Sequence, residues 1–262
     1  PGLDNVIIMP PTYGMYEVSA GINDVATKKV SLSTTFDMEV HKVLEAVDEY
    51  TKIIFICSPN NPSGNKINRE SIYEILSKFD GLVVIDEAYI DFSDEPSFSL
   101  ELKQHPNLLV MQTLSKAWGL ATLRLGMAFA SKEIIGILNK IKPPYNISGL
   151  TQDTVLEAIG NTAQLEQMIK EILDQKEQLQ LALEEIPEVE KVHPSAANFL
   201  LAKVPQANKV YQQLIDKKII VRDRSKVQRC DDCLRITVGS KEENQQMIKA
   251  LKEVLKNQSN KH

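Results

Sequence analysis

The feature that most constrains this chain is an alternation in its first 142 residues, where short apolar runs are separated by amphipathic stretches. Residues 6–9, 28–32, 52–57, 82–86, 108–112 and 125–130 read as strands. Most are continuously apolar, the mark of strands covered on both faces. Between them, residues 39–50 and 69–78 carry apolar side chains at helical spacing. Strands alternating with helices predict βαβ units, and so an α/β fold with a mainly parallel sheet flanked by helices. Open sheets of this kind bind ligands beyond the carboxyl ends of their strands, so the residues just after each strand carry the functional reading.

Lys142-Pro143-Pro144 breaks the pattern. A helix over residues 163–185 follows, closed by Pro187 and long enough to connect two domains. Its apolar spacing is not sustained as a coiled-coil arm would need. Beyond it a strand (199–203), a helix (207–217), strands (219–221 and 234–238) and a last helix (241–256) make a smaller α+β unit. The expected organisation is a large cofactor-binding domain over residues 1–160, a connecting helix over 161–186 and a small C-terminal domain over 187–262.

Composition narrows the partners. A net charge of −5 and a pI near 5.5 give no basic field for nucleic acid or anionic membrane. No apolar run approaches the roughly 18 residues of a membrane span. Cys230 and Cys233 have CxxC spacing, but a zinc site would want a second ligand pair and none sits nearby. Reduced thiols in a cytoplasmic protein are the better reading. The chain opens almost inside a strand, without a methionine or leader, and so reads as the later part of a longer, N-terminally truncated protein.

Three stretches carry chemistry. In Thr113-Leu114-Ser115-Lys116 an amine follows an apolar strand and is flanked by hydroxyls; Arg124 lies a few residues on. Hydroxyls and a guanidinium fork suit a phosphate, although Lys116 alone reads more readily as a solvated surface lysine, as most lysines are. In Val84-Ile85-Asp86-Glu87 an acid follows a strand, where it is costly unless paired or useful. Asp86 suits a pyridine nitrogen, an N-cap or a metal. In Ser58-Pro59-Asn60-Asn61-Pro62-Ser63-Gly64 a rigid turn can aim one asparagine amide, or be only a tight loop.

Together, and in this order, the stretches resemble the fold-type I pyridoxal-phosphate enzymes, and in detail the histidinol-phosphate aminotransferases. The resemblance runs through PPTYGMY at 10–16, SPNNPSG at 58–64, DEAYIDF at 86–92, TLSKAWGLATLRLG at 113–126 and LRITVG at 234–239. Trp118 stands where the family pattern has phenylalanine. The resemblance implies a homodimeric, pyridoxal 5'-phosphate-dependent transaminase exchanging histidinol phosphate with 2-oxoglutarate or glutamate in histidine biosynthesis. Lys116 would be its Schiff-base lysine and proton carrier, Asp86 the partner of the pyridine nitrogen, and Tyr89 and Asn61 partners of the ring's phenolic oxygen. Tyr13 would stack on the ring. Thr113, Ser115 and Arg124 would hold the cofactor phosphate; Arg222, Arg235 and Asn61 would meet the substrate. An N-terminal segment would add a glycine-rich phosphate cup and a tyrosine for the neighbouring subunit, and without it the fragment is expected to be a poor catalyst. An aromatic aminotransferase, a threonine-phosphate decarboxylase and the aminotransferase-like effector domain of a transcriptional regulator remain open on these residues.

Overall fold

In a computed structural model, which describes residues 2–259, the alternation becomes one large sheet. Its elements are β1 (Asn5–Ile8), α1 (Met15–Ile22), β2 (Ala26–Lys29), α2 (Val40–Glu45), β3 (Thr51–Cys57), α3 (Arg69–Lys78), β4 (Leu82–Asp86), β5 (Leu108–Thr113) and β6 (Gly126–Ala130). The order is β2-β1-β3-β4-β5-β6. Five strands run parallel and β6 closes the edge antiparallel to β5. The continuous apolar runs are explained by burial: Ile7, Ile54, Ile56, Val83, Ile85, Leu108 and Val110 are all 0% exposed. Each such side chain contributes about 1.5–3 kcal/mol relative to exposure.

Helix α2 stops at Glu45, short of the expected 39–50. The reason is Asp48, whose carboxylate accepts from Asn5 Nδ2 (2.9 Å), the Tyr50 N–H (3.1 Å) and Thr51 Oγ1 (2.9 Å). A turn satisfied by its own side chain competes with another turn of helix.

The second half holds α4 (Lys132–Ile141), α5 (Gly149–Ile159), α6 (Thr162–Glu184), β7 (Lys191–His193), β8 (Phe199–Lys203), α7 (Ala207–Asp216), β9 (Arg222–Asp223), β10 (Cys233–Thr237) and α8 (Lys241–Ser259). A four-stranded antiparallel sheet runs β7-β8-β10-β9. The strand expected at 219–221 begins instead at Arg222, because the Ile219 N–H is used to close α7 on the Leu214 carbonyl at 2.9 Å.

The small sheet has two different faces, as period-two strands require. Leu234 and Ile236 of β10 join Leu200 and Ala202 of β8 in a core with α6, α7 and α8. Cys233, Leu201 and Cys230 instead join the core of the large sheet. Helix α6 spans both, with Leu165, Ile169 and Leu173 against Tyr89, Phe92 and Phe199, and Leu179 and Leu183 in the small-sheet core. One close approach fixes the seam. Gly64 has φ +84, and a Cβ there would lie 2.5 Å from Ser195 Oγ. Its carbonyl accepts the Ala196 N–H at 2.8 Å. Glycine is therefore required where the asparagine turn meets the small sheet.

Candidate active site

The parallel register brings three strand ends together: Cys57 lies beside Asp86, and Asp86 beside Met111. The residues following β3, β4 and β5 therefore meet at one sheet edge. There, facing the β9–β10 pair of the small sheet, lies a cavity of about 500 Å³. All ten residues singled out from the sequence line it: Tyr13, Asn61, Asp86, Tyr89, Thr113, Ser115, Lys116, Arg124, Arg222 and Arg235.

Asp86 is buried at 9% exposure, and its Oδ2 accepts from Tyr16 Oη at 2.6 Å while Oδ1 accepts the Ala88 N–H at 3.0 Å. Burial pushes its carboxyl up, and the Tyr16 and Ala88 bonds pull it back. Tyr16 is locked in turn, stacked on Phe55 at 4.8 Å and edge-on to Tyr13 at 5.6 Å. Tyr13 itself is 44% exposed at the cavity.

Lys116 is half-buried, with Nζ 5.3 Å from the centre of the Tyr89 ring. Burial lowers its proton affinity, the Arg235 charge lowers it further, and Asp86 opposes both. Tyr89 is buried, which pushes its hydroxyl up to about 12. Thr113 Oγ1 donates to the Leu125 carbonyl at 3.3 Å and accepts the Ser115 N–H at 3.1 Å, so the strand end turns tightly before Lys116. Arg124 is exposed, takes left-handed backbone at φ +53, and donates from Nη1 to the Ala121 carbonyl at 3.0 Å.

Of the two turn asparagines, Asn60 is structural. It is 1% exposed, and its amide donates to the Pro11 carbonyl (2.9 Å) and Ser63 Oγ (2.7 Å). Asn61 faces the cavity, where its Oδ1 accepts from Arg235 Nη1 at 2.7 Å. That bond crosses from the large sheet to the small one.

Arg235 lies over the Phe199 ring at 4.8 Å, and burial lowers its proton affinity. Arg222 is directly opposite it in the β9–β10 register. Arg224, which the sequence reading passed over, also lines the cavity. The Nε atoms of Arg224 and Arg235 are buried without a hydrogen-bond partner. An unsatisfied buried donor costs about 1–3 kcal/mol. Among the described residues no carboxylate forms an ion pair with Arg222, Arg224 or Arg235.

Sequence reading also missed Tyr16, Cys57 and Gln112. Cys57 and Gln112 line the cavity, and Gln112 Nε2 donates to the buried Glu87 carboxylate at 2.9 Å. Tyr16 sits inside the quoted 10–16 stretch, three residues after Tyr13, so the helical spacing of α1 was its available signal. For Arg224 the signal was the spacing Arg222-Asp223-Arg224, which puts both arginines on one side of an extended chain. Cys57, Cys230 and Cys233 are buried free thiols, and burial holds them at about 12, 12 and 11. No helix of the described residues is long and apolar enough to cross a membrane.

Comparison with known proteins fits this geometry. Residues 1–251 match the aminotransferase class I and II family. A histidinol-phosphate aminotransferase of Parabacteroides distasonis is 55% identical over 96% of this chain and 73% of its own length. Among solved structures, a Sinorhizobium meliloti histidinol-phosphate aminotransferase in complex with pyridoxal-5'-phosphate superposes with a TM-score of 0.88 at 20% identity, over 97% of this chain and 71% of that one. A Porphyromonas gingivalis L-threonine-O-3-phosphate decarboxylase does so with a TM-score of 0.82 at 23% identity, over 97% and 78%. Those superpositions establish the fold that the two activities share, and the choice between them rests on sequence. The chain belongs to the class I and II aminotransferases and, within them, to the histidinol-phosphate aminotransferase family.

Proposed function

We propose that this chain transfers an amino group from glutamate to the keto partner of histidinol phosphate, and back to 2-oxoglutarate, using pyridoxal 5'-phosphate in a single cavity. The observation that carries the reading is the pairing of Lys116 and a buried Asp86 on one wall with three guanidiniums on the other. The residues fit the cofactor. A cavity of about 500 Å³ lies within the range of small-molecule sites. A buried carboxyl lies at its floor, pushed up by burial and pulled back by the Tyr16 and Ala88 bonds, and the phosphate-binding types Thr113, Ser115 and Arg124 share its lining.

When bound, pyridoxal phosphate supplies an electron sink for the charge left as a proton leaves carbon. We assign Lys116 to anchor it and to carry that proton. Burial raises the fraction of neutral amine, which a proton acceptor needs. Asp86 would meet the pyridine nitrogen, held in place by the Tyr16 hydroxyl and the Ala88 N–H. Tyr89 and Asn61 would hydrogen-bond the phenolic oxygen, Tyr13 would cover the ring, and Thr113, Ser115 and Arg124 would hold the phosphate. Arg235 and Arg222 grip the substrate's anionic end, and Asn61 ties Arg235 in place. Forked guanidiniums accept either a phosphate or a carboxylate, as a reaction in two half-turns requires.

Two further elements belong to this reading. The division into residues 1–160, 161–186 and 187–262 follows the two sheets and the helix joining them. A cytoplasmic homodimer that binds no nucleic acid is supported by kinship and by an apolar surface on α4, α5 and their connection. There Ile137, Ile141, Tyr145, Leu150 and Leu156 are 60–95% exposed. The test is spectroscopic. Cofactor-loaded protein mixed with histidinol phosphate should change absorbance stoichiometrically, and 2-oxoglutarate should reverse it. Change with an aromatic amino acid but not histidinol phosphate would replace the substrate. Release of carbon dioxide from threonine phosphate would replace the reaction.

A further inference from the structure

The β9–β10 wall carries more positive charge than a carboxylate substrate needs. Arg222 and Arg235 are cross-strand partners, so their side chains share one face of the pair. Arg224 follows Arg222 by two residues, its backbone N–H held on the Cys233 carbonyl at 2.9 Å, and so returns to the same face. Asp223, between them, points elsewhere: its carboxylate accepts from Asn208 Nδ2 at 2.9 Å and from the Ser225 N–H at 2.8 Å. The acid that lies between the two arginines in sequence is thus occupied elsewhere.

Like charges opposite one another weaken a sheet. Arg224 and Arg235 each also keep a buried Nε without a partner. Both features are resolved by an anion with several acceptor oxygens and more than one negative charge. A carboxylate offers two oxygens and one charge, which Arg235 beside Asn61 is already placed to meet. A phosphate monoester offers three terminal oxygens and about two charges.

We propose that Arg224 is a specificity-determining residue, the third arm of an anion site that selects a phosphorylated amine over a carboxylate-bearing one. This rests on the substrate reading above and adds to it a residue and a reason for the preference. Arg222 at the exposed rim meets the arriving dianion. Arg224 and Arg235 hold it from deeper in the wall. Glutamate, with a carboxylate in the same place, uses Arg235 and depends little on Arg224.

The experiment uses cofactor-loaded protein, in which the cofactor's own phosphate occupies the Arg124 end, and compares wild type with Arg224→Gln and Arg224→Lys. Calorimetric titration with inorganic phosphate is expected to show affinity about tenfold weaker in Arg224→Gln, as for loss of one charge-assisted contact. Arg224→Lys, which keeps the charge without the fork, should recover part of it. Affinity for acetate should change less than about threefold. In single half-reactions, kcat/KM for histidinol phosphate should fall about tenfold, with that for glutamate and for unphosphorylated histidinol nearly unchanged. Equal losses for phosphate and acetate would overturn the proposal, because a structural role weakens both. Unchanged phosphate affinity in Arg224→Gln would overturn it as well. If wild type does not turn over histidinol phosphate while Arg224→Gln still loses phosphate affinity, the substrate reading fails and the phosphate site stands.

Discussion

The two walls of the cavity are satisfied in opposite ways. On the large-sheet wall two strand-end side chains come with partners: Asp86 has Tyr16 and Ala88, and Thr113 has Leu125 and Ser115. On the small-sheet wall three arginines have no ion-paired carboxylate among the described residues, and two keep an orphaned Nε. A side chain fixed by hydrogen bonds within the chain is suited to a resident group that must be held in one geometry. A wall left incomplete is suited to a ligand that comes and goes, since partners already present would have to be displaced each time.

The largest expected effect tests the large-sheet wall at its centre. Lys116→Ala should lower turnover by at least about a thousandfold, since the proposed roles of the amine are both to anchor the cofactor and to move the proton. Borohydride treatment of the loaded wild type should fix the cofactor covalently to the chain, and in Lys116→Ala it should not. A reducible adduct on another lysine in that variant would show the assignment to be wrong.

Much of this wall was legible in the sequence because its residues follow strands whose continuous apolar runs announce them. Lys116, Asp86 and Asn61 each stand just past such a run, and the parallel register does the rest. What was not legible depends on distance along the chain. Tyr16 supports a carboxylate 70 residues away, a pairing no local pattern encodes. The end of α2 was misplaced because Asp48 is satisfied by Asn5, a contact made only once β1 and β3 are adjacent. The start of β9 was misplaced because Ile219 serves the exit of α7 rather than the strand. Helices α4 and α5 leave apolar side chains outside, so their apolar residues did not read as one buried face.

A middle-sized effect tests whether the partners on the large-sheet wall matter or merely accompany it. Asp86→Ala should slow the proton-transfer step about a hundredfold or more while changing KM little, because a carboxylate in its proposed role would act mainly on charge that develops in the transition state. Tyr16→Phe should cost about tenfold, the loss of one charge-assisted hydrogen bond. The sign of the pH effect is fixed. Burial raises the Asp86 carboxyl and the Tyr16 hydroxyl lowers it, so removing that hydroxyl moves the carboxyl further up. The acid limb of the kcat profile should therefore shift to higher pH in Tyr16→Phe. An unshifted limb with a uniformly lower rate would reduce Tyr16 to packing against Phe55.

The smallest effect concerns the seam that holds the two walls face to face. His193 of β7 packs its ring on Phe36 at 5.1 Å, joining the small sheet to the loop after β2. Burial, helped by the Lys191 and Lys203 charges, lowers its proton affinity from an ordinary 6.5 to about 4. The unfolded chain therefore binds a proton between those two values that the folded chain refuses. Falling pH favours the state that binds more protons, here the unfolded one, so stability should fall as pH drops from about 6.5 toward 4 and level off below. Because the ring is partly exposed, solvent screening holds the loss to roughly 1 kcal/mol. Denaturant titrations at pH 7, 6 and 5 read this directly. His193→Gln should remove that part of the slope, since the amide does not titrate, while leaving the neutral-pH fold and the two walls in place. An identical slope in both proteins would assign the acid sensitivity to the carboxylates. The seam would then be held by packing alone, with no contribution from proton binding at His193.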